Sequence, residues 1–174
     1  MRRCAECAGR RLAFSRALAA VEYDEPVRRI VASWKERGLR RLADWAAGVV
    51  VETIARPDTD CLSFVPADPE RRLWRGHHAA ERLALALADR WELAAEPLLV
   101  RVRGSPRQRG LTRVERRRNV AAAFEADRSV PRAVTLIDDV YTTGATANAA
   151  AAALRRGGAR RVEIVTFARA IRLR

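Results

Sequence analysis

The sequence predicts an α/β chain with a mainly parallel sheet flanked by helices, and three features predict it. Ala133-Val134-Thr135-Leu136-Ile137 is an unbroken β-branched and aliphatic run, the pattern of a strand covered on both faces. Ala145 to Arg156 then carries helical character and stops at Gly157-Gly158. Residues 162–167 form a second apolar run, so strand, helix and strand follow at the spacing of a βαβ unit.

The preceding elements are weaker but readable in order. Residues 1–20 open with Cys4-x-x-Cys7 and continue as a basic, Ala-rich stretch. Two helices are expected between Pro26 and Ala55. Val27, Ile30, Val31 and Trp34 recur at helical spacing, Gly38 interrupts, and Leu39, Leu42, Trp45, Ala46 and Val49 resume. Pro26, after Asp24-Glu25, suits a first helical turn. Residues 62–65 read as a short buried strand ended by Pro66. Residues 77–91 read as a helix with Ala80, Leu83, Ala84 and Leu87 on one face, and residues 98–102 as a second strand. A short apolar patch ends at Phe124. Trp34, Trp45, Trp74 and Trp91 sit in apolar faces and are expected in the core, as is Cys61. The chain divides into residues 1–60, a Cys-x-x-Cys segment with helices, and residues 61–174, an α/β core.

Composition narrows the partners. The 174 residues carry 34 basic and 21 acidic side chains, a formal charge of +13. Of the basic residues, 33 are Arg and one, Lys35, is Lys. Such an excess implies polyanionic company, either phosphorylated small molecules or nucleic acid. No stretch reaches the roughly 18 apolar residues of a membrane helix, and no apolar segment follows Met1-Arg2-Arg3 as a secretory leader would require. A cytoplasmic location without membrane insertion is expected, where three Cys do not make a disulfide framework.

The chemistry concentrates in Val134-Thr135-Leu136-Ile137-Asp138-Asp139-Val140-Tyr141-Thr142-Thr143-Gly144-Ala145-Thr146. Two acids stand at the carboxyl end of a buried strand, where open α/β sheets place their ligands. A hydroxyl-rich turn with one Gly then opens into a helix, whose first N–H groups form a cradle for phosphate. Gly144 lets the backbone approach that anion closely. Carboxylates are poor neighbours for a phosphate, so Asp138 and Asp139 must face something else. Vicinal hydroxyls fit, and the whole suits a sugar 5-phosphate.

That run resembles the 5-phosphoribosyl-1-pyrophosphate (PRPP) motif of type I phosphoribosyltransferases. The resemblance extends along almost the whole chain to one subfamily, the ComF proteins of DNA uptake and competence. The matching blocks are Cys4-x-x-Cys7, Tyr23 before a helix ending in Trp34-Lys35-x-x-Gly38, Val65-Pro66, Arg75-Gly76, then Gln108, Arg117, Asn119 and Phe124, and Gly157-Gly158-Ala159. Two features depart from the pattern. His77-His78 replaces the usual Phe-Asn after Arg75-Gly76, and one Cys-x-x-Cys stands where two are common; either a pair has been lost or one lies upstream of Met1.

The resemblance implies a type I phosphoribosyltransferase fold with a small helical hood at residues 1–60. It implies a phosphoribosyltransferase, releasing pyrophosphate from PRPP with Mg²⁺ held largely by PRPP itself, in competence or nucleotide salvage. Asp138 and Asp139 would take the ribose 2- and 3-hydroxyls, and Thr142, Thr143, Gly144, Ala145 and Thr146 the 5-phosphate. Arg72 and Arg75 follow Val65-Pro66 where the family binds pyrophosphate. Arg101, Arg103 and Lys35 are further candidates for the pyrophosphate or a lid, and hood residues would choose an acceptor base that the sequence does not specify. Homo-oligomers are common in the superfamily. The alternative is a non-catalytic competence factor that uses the fold to bind single-stranded DNA, alone or with other competence proteins.

Three smaller features stay open at this level. Residues 101–118 hold eight Arg and one Glu. They suit a mobile lid, a solvated basic loop or a phosphate-backbone contact, although no aromatic is present to stack on bases. Cys4 and Cys7 have the spacing of half a tetrahedral zinc site, for which His77, His78 and Cys61 are the local candidates as further ligands, though nothing in the sequence places them nearby. His77-His78 at a helix start suits a surface or N-terminal capping role better than metal ligation or an acid/base pair, since adjacent helical residues face different sides. Lys35 either reaches a phosphate or base or is a solvated helix residue.

Overall fold

A computed structural model describes residues 11–37, 41–67, 78–102, 123–127 and 129–171. The elements, in chain order, are β1 (Arg16–Glu22), α1 (Glu25–Arg37), α2 (Arg41–Thr53), β2 (Cys61–Phe64), α3 (Ala79–Trp91), β3 (Leu99–Arg101), β4 (Phe124–Ala126), β5 (Ala133–Tyr141), α4 (Ala145–Arg156) and β6 (Arg161–Arg169). Strands β1, β6, β5 and β2 lie in that order in one sheet, every pair parallel. Beyond β2 the chain at Ala95 makes one more parallel bridge to Leu62, and β3 and β4 form a separate antiparallel hairpin.

Local chemistry sets the helix ends. Pro26 lies in the first turn of α1, as the sequence suggests, and the Asp24 carboxylate caps that turn by accepting the Val27 N–H at 3.0 Å. Helix α4 starts at Gly144, which is left-handed (φ 72°), and closes at Gly157, with Gly158 at φ 118°. Its buried face is built from Ala147, Ala149, Ala150, Ala151, Ala153 and Leu154. Small side chains there let the helix lie close to the sheet.

Both sheet faces are covered, so side chains alternate between two cores. One core joins α1, α2 and α3 to Leu62, Phe64, Ile137, Val165 and Phe167. The other joins α4 and the hairpin to Val134, Leu136, Tyr141, Val162 and Ile164. The alternation does not run on to the end of β5: Val140 packs with the N-terminal helices and Tyr141 with the α4 core. Just before them, Asp139 meets Lys35 of α1.

Several expectations change. Residues 16–22, read as part of an N-terminal stretch without a strand, form the edge strand β1, in register with β6 from Arg16↔Glu163 to Glu22↔Arg169. Strand β5 does not stop at Ile137 but continues to Tyr141, still paired with β6 through Tyr141↔Arg169. Trp34 and Trp91 are buried as expected, but Trp45 is 47% exposed. The buried stripe of α2 is Ala43, Ala46, Ala47 and Val50, and Trp45 lies off it with one ring edge on Phe167 at 5.6 Å. Cys61 is buried, as expected. Cys4, Cys7, Gly38, Arg72, Trp74, Arg75, His77, Arg103, Gln108, Arg117 and Asn119 lie outside the described residues.

Candidate functional site

Strand order gives the site its place. From β2 the chain proceeds through α3 to Ala95 on one side, and from β5 through α4 to β6 on the other, with the two helices on opposite faces. The carboxyl ends of β2 and β5 therefore flank a switch point, where an open parallel sheet leaves a crevice. The Val65 N–H donates to the Ile137 carbonyl at 3.0 Å. The Val65-Pro66 strand end thus lies directly beside the residue that precedes the acid pair.

Asp138 and Asp139 sit at this point with different surroundings. Asp138 is half-buried, and its Oδ1 accepts the Asp139 backbone N–H at 2.9 Å. Burial, and then the neighbouring Asp139 charge, push the Asp138 carboxyl up to about 8, while the Lys35 ammonium pulls in the opposite direction. Asp139 is buried, and its Oδ2 lies 2.7 Å from Lys35 Nζ. Lys35, one of the candidates for pyrophosphate contact, is thus held by a carboxylate at the acid pair.

The turn that follows has the shape of an anion cradle. Thr142, Thr143, Ala145 and Thr146 are exposed around a buried Gly144. Thr143 Oγ1 lies 3.4 Å from the Ala145 N–H, and the next N–H groups open the first turn of α4 without intrahelical acceptors. Gly144 is required twice over. Its φ is left-handed, and a Cβ there would stand 2.1 Å from the Tyr141 hydroxyl and 2.5 Å from Cζ. Tyr141 is therefore the floor of the turn. It is buried, edge-on to Phe14 at 6.4 Å, with the Arg169 guanidinium over its ring at 5.2 Å. Sequence reasoning gave Tyr141 no role, and the signal available was its bulk directly before a hydroxyl turn.

Other candidates fall elsewhere. Arg101 lies in β3 with its guanidinium 5.3 Å from the centre of the Phe124 ring, so its contact in the structure is with the hairpin. His78 occupies the N-cap position of α3 but is buried, not on the surface. It stands edge-on to Phe64, with Nδ1 3.5 Å from Glu81 Oε2, and its side chain makes no capping hydrogen bond. Among the described residues no group of three or more His, Cys, Asp or Glu side chains is arranged to hold a metal ion. No helix among them is long and apolar enough to cross a membrane.

No family model matches the chain. Competence protein F of Haemophilus influenzae is 27% identical over 96% of this chain and 78% of its own length. The resemblance carried by the motif blocks therefore holds along nearly the whole chain. Among solved structures, the glutamine PRPP amidotransferase of B. subtilis, complexed with ADP and GMP, is 19% identical over 73% of this chain at a TM-score of 0.49. This chain spans 25% of that enzyme. A protein of Thermus thermophilus is 18% identical over 80% of this chain and 86% of its own, at a TM-score of 0.39.

Proposed function

We propose that this chain is a phosphoribosyltransferase that binds Mg²⁺-PRPP and transfers the phosphoribosyl group to a base. The observation that carries this is the continuity of two supports: an acid pair at the end of β5, and five residues later a left-handed Gly opening α4. The Asp138 and Asp139 oxygens accept hydrogen bonds from the vicinal 2- and 3-hydroxyls, and Asp139, paired with Lys35, does so as a charged acceptor, which roughly doubles the strength of its bond. The helix start and the Thr hydroxyls receive the 5-phosphate. Fixing both ends of the sugar presents C1 toward the Val65-Pro66 strand end, after which Arg72 and Arg75 follow in sequence.

The C1–O bond to pyrophosphate breaks through an oxocarbenium-like state, and a ring nitrogen of the base supplies the electron pair for the new C1–N bond. Stabilising the departing charge matters more here than a nucleophile. Mg²⁺, when bound, neutralises that leaving group. Its hard-oxygen ligands would come largely from PRPP itself, and the acid pair would add only a favourable field. Similarity to a protein named Competence protein F supports a role in competence, with nucleotide salvage as the other setting. Pyrophosphate release from PRPP, assayed across purine and pyrimidine bases and lost in the Asp138→Asn/Asp139→Asn double variant, supports this function. Release unaffected by both substitutions overturns it.

One observation favours a second reading, polyanion binding without turnover. A cleft of about 380 Å³ is lined by Arg155, Arg156, Arg160 and Arg161 over Phe14 and Val162. It lies at the opposite end of α4 from Gly144, roughly 18 Å along a 12-residue helix. Single-stranded DNA bound there would show an affinity that falls steeply with salt and survives the Asp substitutions. It would be lost in Arg155→Glu/Arg160→Glu.

A further inference from the structure

Among the described residues, the cation against the acid pair is also the only lysine in the chain. Its position is fixed from behind. Trp34, the preceding residue, is fully buried and edge-on to Phe167 at 6.4 Å, which seats this turn of α1 on the sheet. From there the Lys35 side chain, 30% exposed, reaches the Oδ2 of an Asp139 side chain that is 11% exposed.

The chemistry of the contact is one-sided. An ammonium is a compact point charge that engages one carboxylate oxygen, whereas a guanidinium forks across both. In a chain whose other 33 basic residues are arginine, lysine stands where that distinction matters. A fork would cover both oxygens of Asp139. An ammonium takes one, Oδ2, and leaves the rest of the carboxylate to the neighbouring Asp138 carboxyl, which hydrogen-bonds it in the free chain, and to a donor that takes its place.

Resting on the PRPP reading above, we propose that Lys35 is a positioning residue for the donor sugar: by holding Oδ2 of Asp139 it aims Oδ1 at a ribose hydroxyl, and it makes α1 part of the donor site. Several charged groups on the elements around this strand end are engaged elsewhere among the described side chains: His78 and Glu81 face each other at the start of α3, Arg169 of β6 lies over Tyr141, and Glu25, Arg28 and Arg29 of α1 pair among themselves. Asp138 is a direct neighbour of the pair, and the Lys35 charge bears on it as well.

The test compares Lys35→Met and Lys35→Arg with the wild-type full-length chain. Calorimetry with Mg²⁺-PRPP between pH 6 and 9 gives affinity, and carbon-13 carboxyl NMR without ligand gives the titration midpoint of Asp138. Thermal melts report the folded fraction. In Lys35→Met, affinity is expected to fall by about tenfold or more, and the Asp138 midpoint to move up by about one pH unit or more, because an opposite charge has been removed. Lys35→Arg is expected to keep the wild-type midpoint and still lose about tenfold in affinity, since its fork covers the oxygen the sugar needs. Variants that bind like wild type overturn the inference, as does a loss of affinity matched by lost folding with an unmoved midpoint. Full affinity in Lys35→Arg overturns it too. If the wild-type chain itself does not bind Mg²⁺-PRPP, the donor reading fails and the positioning role with it. That outcome is distinct from the variant results.

Discussion

Gly144 offers a sharp test of the cradle. Replacing it with Ala forces an L-residue to hold φ 72°, which costs about 1–2 kcal/mol. It also drives a methyl carbon to 2.1 Å from the Tyr141 hydroxyl and 2.5 Å from Cζ, in a buried site closed by Phe14. Overpacking of this kind typically adds about 1–3 kcal/mol. Together, roughly 2–5 kcal/mol is a large share of the 5–15 kcal/mol that holds a domain folded, and lowers Tm by about 4–20 °C for a chain of this size. Tyr141→Phe restores little, because Cζ remains too close. The matched control is Gly48→Ala in the interior of α2, where an added Cβ meets nothing within 4 Å. There the same change stabilises by about 0.5–1 kcal/mol. Calorimetric melts of the three variants decide it. Gly144→Ala melting at or above wild type would refute the geometry described for the turn.

Three further outcomes follow. The Asp138 carboxyl holds its proton to about 8 when folded but releases it near 3.8 ordinarily. Between these values the folded chain binds more protons than the unfolded one, so stability falls as pH rises, by up to about 1.4 kcal/mol per pH unit. Urea midpoints at pH 5 and pH 8 should show that decline in wild type and a flatter profile in Asp138→Asn, and identical profiles would count against it. Trp34→Ala removes a fully buried indole that links α1 to Phe167; it should cost about 3–5 kcal/mol in urea unfolding. By calorimetry at pH 7, Asp139→Asn should weaken Mg²⁺-PRPP binding by roughly 10- to 150-fold, the worth of a hydrogen bond to a charged group, and Asp138→Asn, which replaces a carboxyl that holds its proton to about 8, by roughly 2- to 12-fold.

The β5–α4–β6 unit was legible because each signal is local. An apolar run, a glycine between hydroxyls and a pair of closing glycines need no distant partner to be read. Strand β1 was not legible, because Arg16-Ala17-Leu18-Ala19-Ala20-Val21-Glu22 is dominated by Ala, a poor strand former. It exists through parallel pairing with β6 and an Arg16–Glu163 ion pair of 2.8 Å, both non-local. The acids hid the last four of the nine residues of β5 in the same way. Asp is depleted in strands, yet the ladder to β6 carries the backbone straight through Asp138 and Asp139. Of the site, the acid pair and the cradle could be read from residue type and order. The Tyr141 floor and the Lys35–Asp139 contact could not, since each depends on how close the fold brings two side chains.

The most direct measurement is phosphorus-31 NMR of Mg²⁺-PRPP titrated with the full-length chain. The account predicts that the 5-phosphate resonance shifts and broadens with saturation in wild type. It also predicts that the response collapses in Asp138→Asn/Asp139→Asn. A 5-phosphate resonance unmoved by excess folded protein, or one moved equally by the double variant, would contradict it.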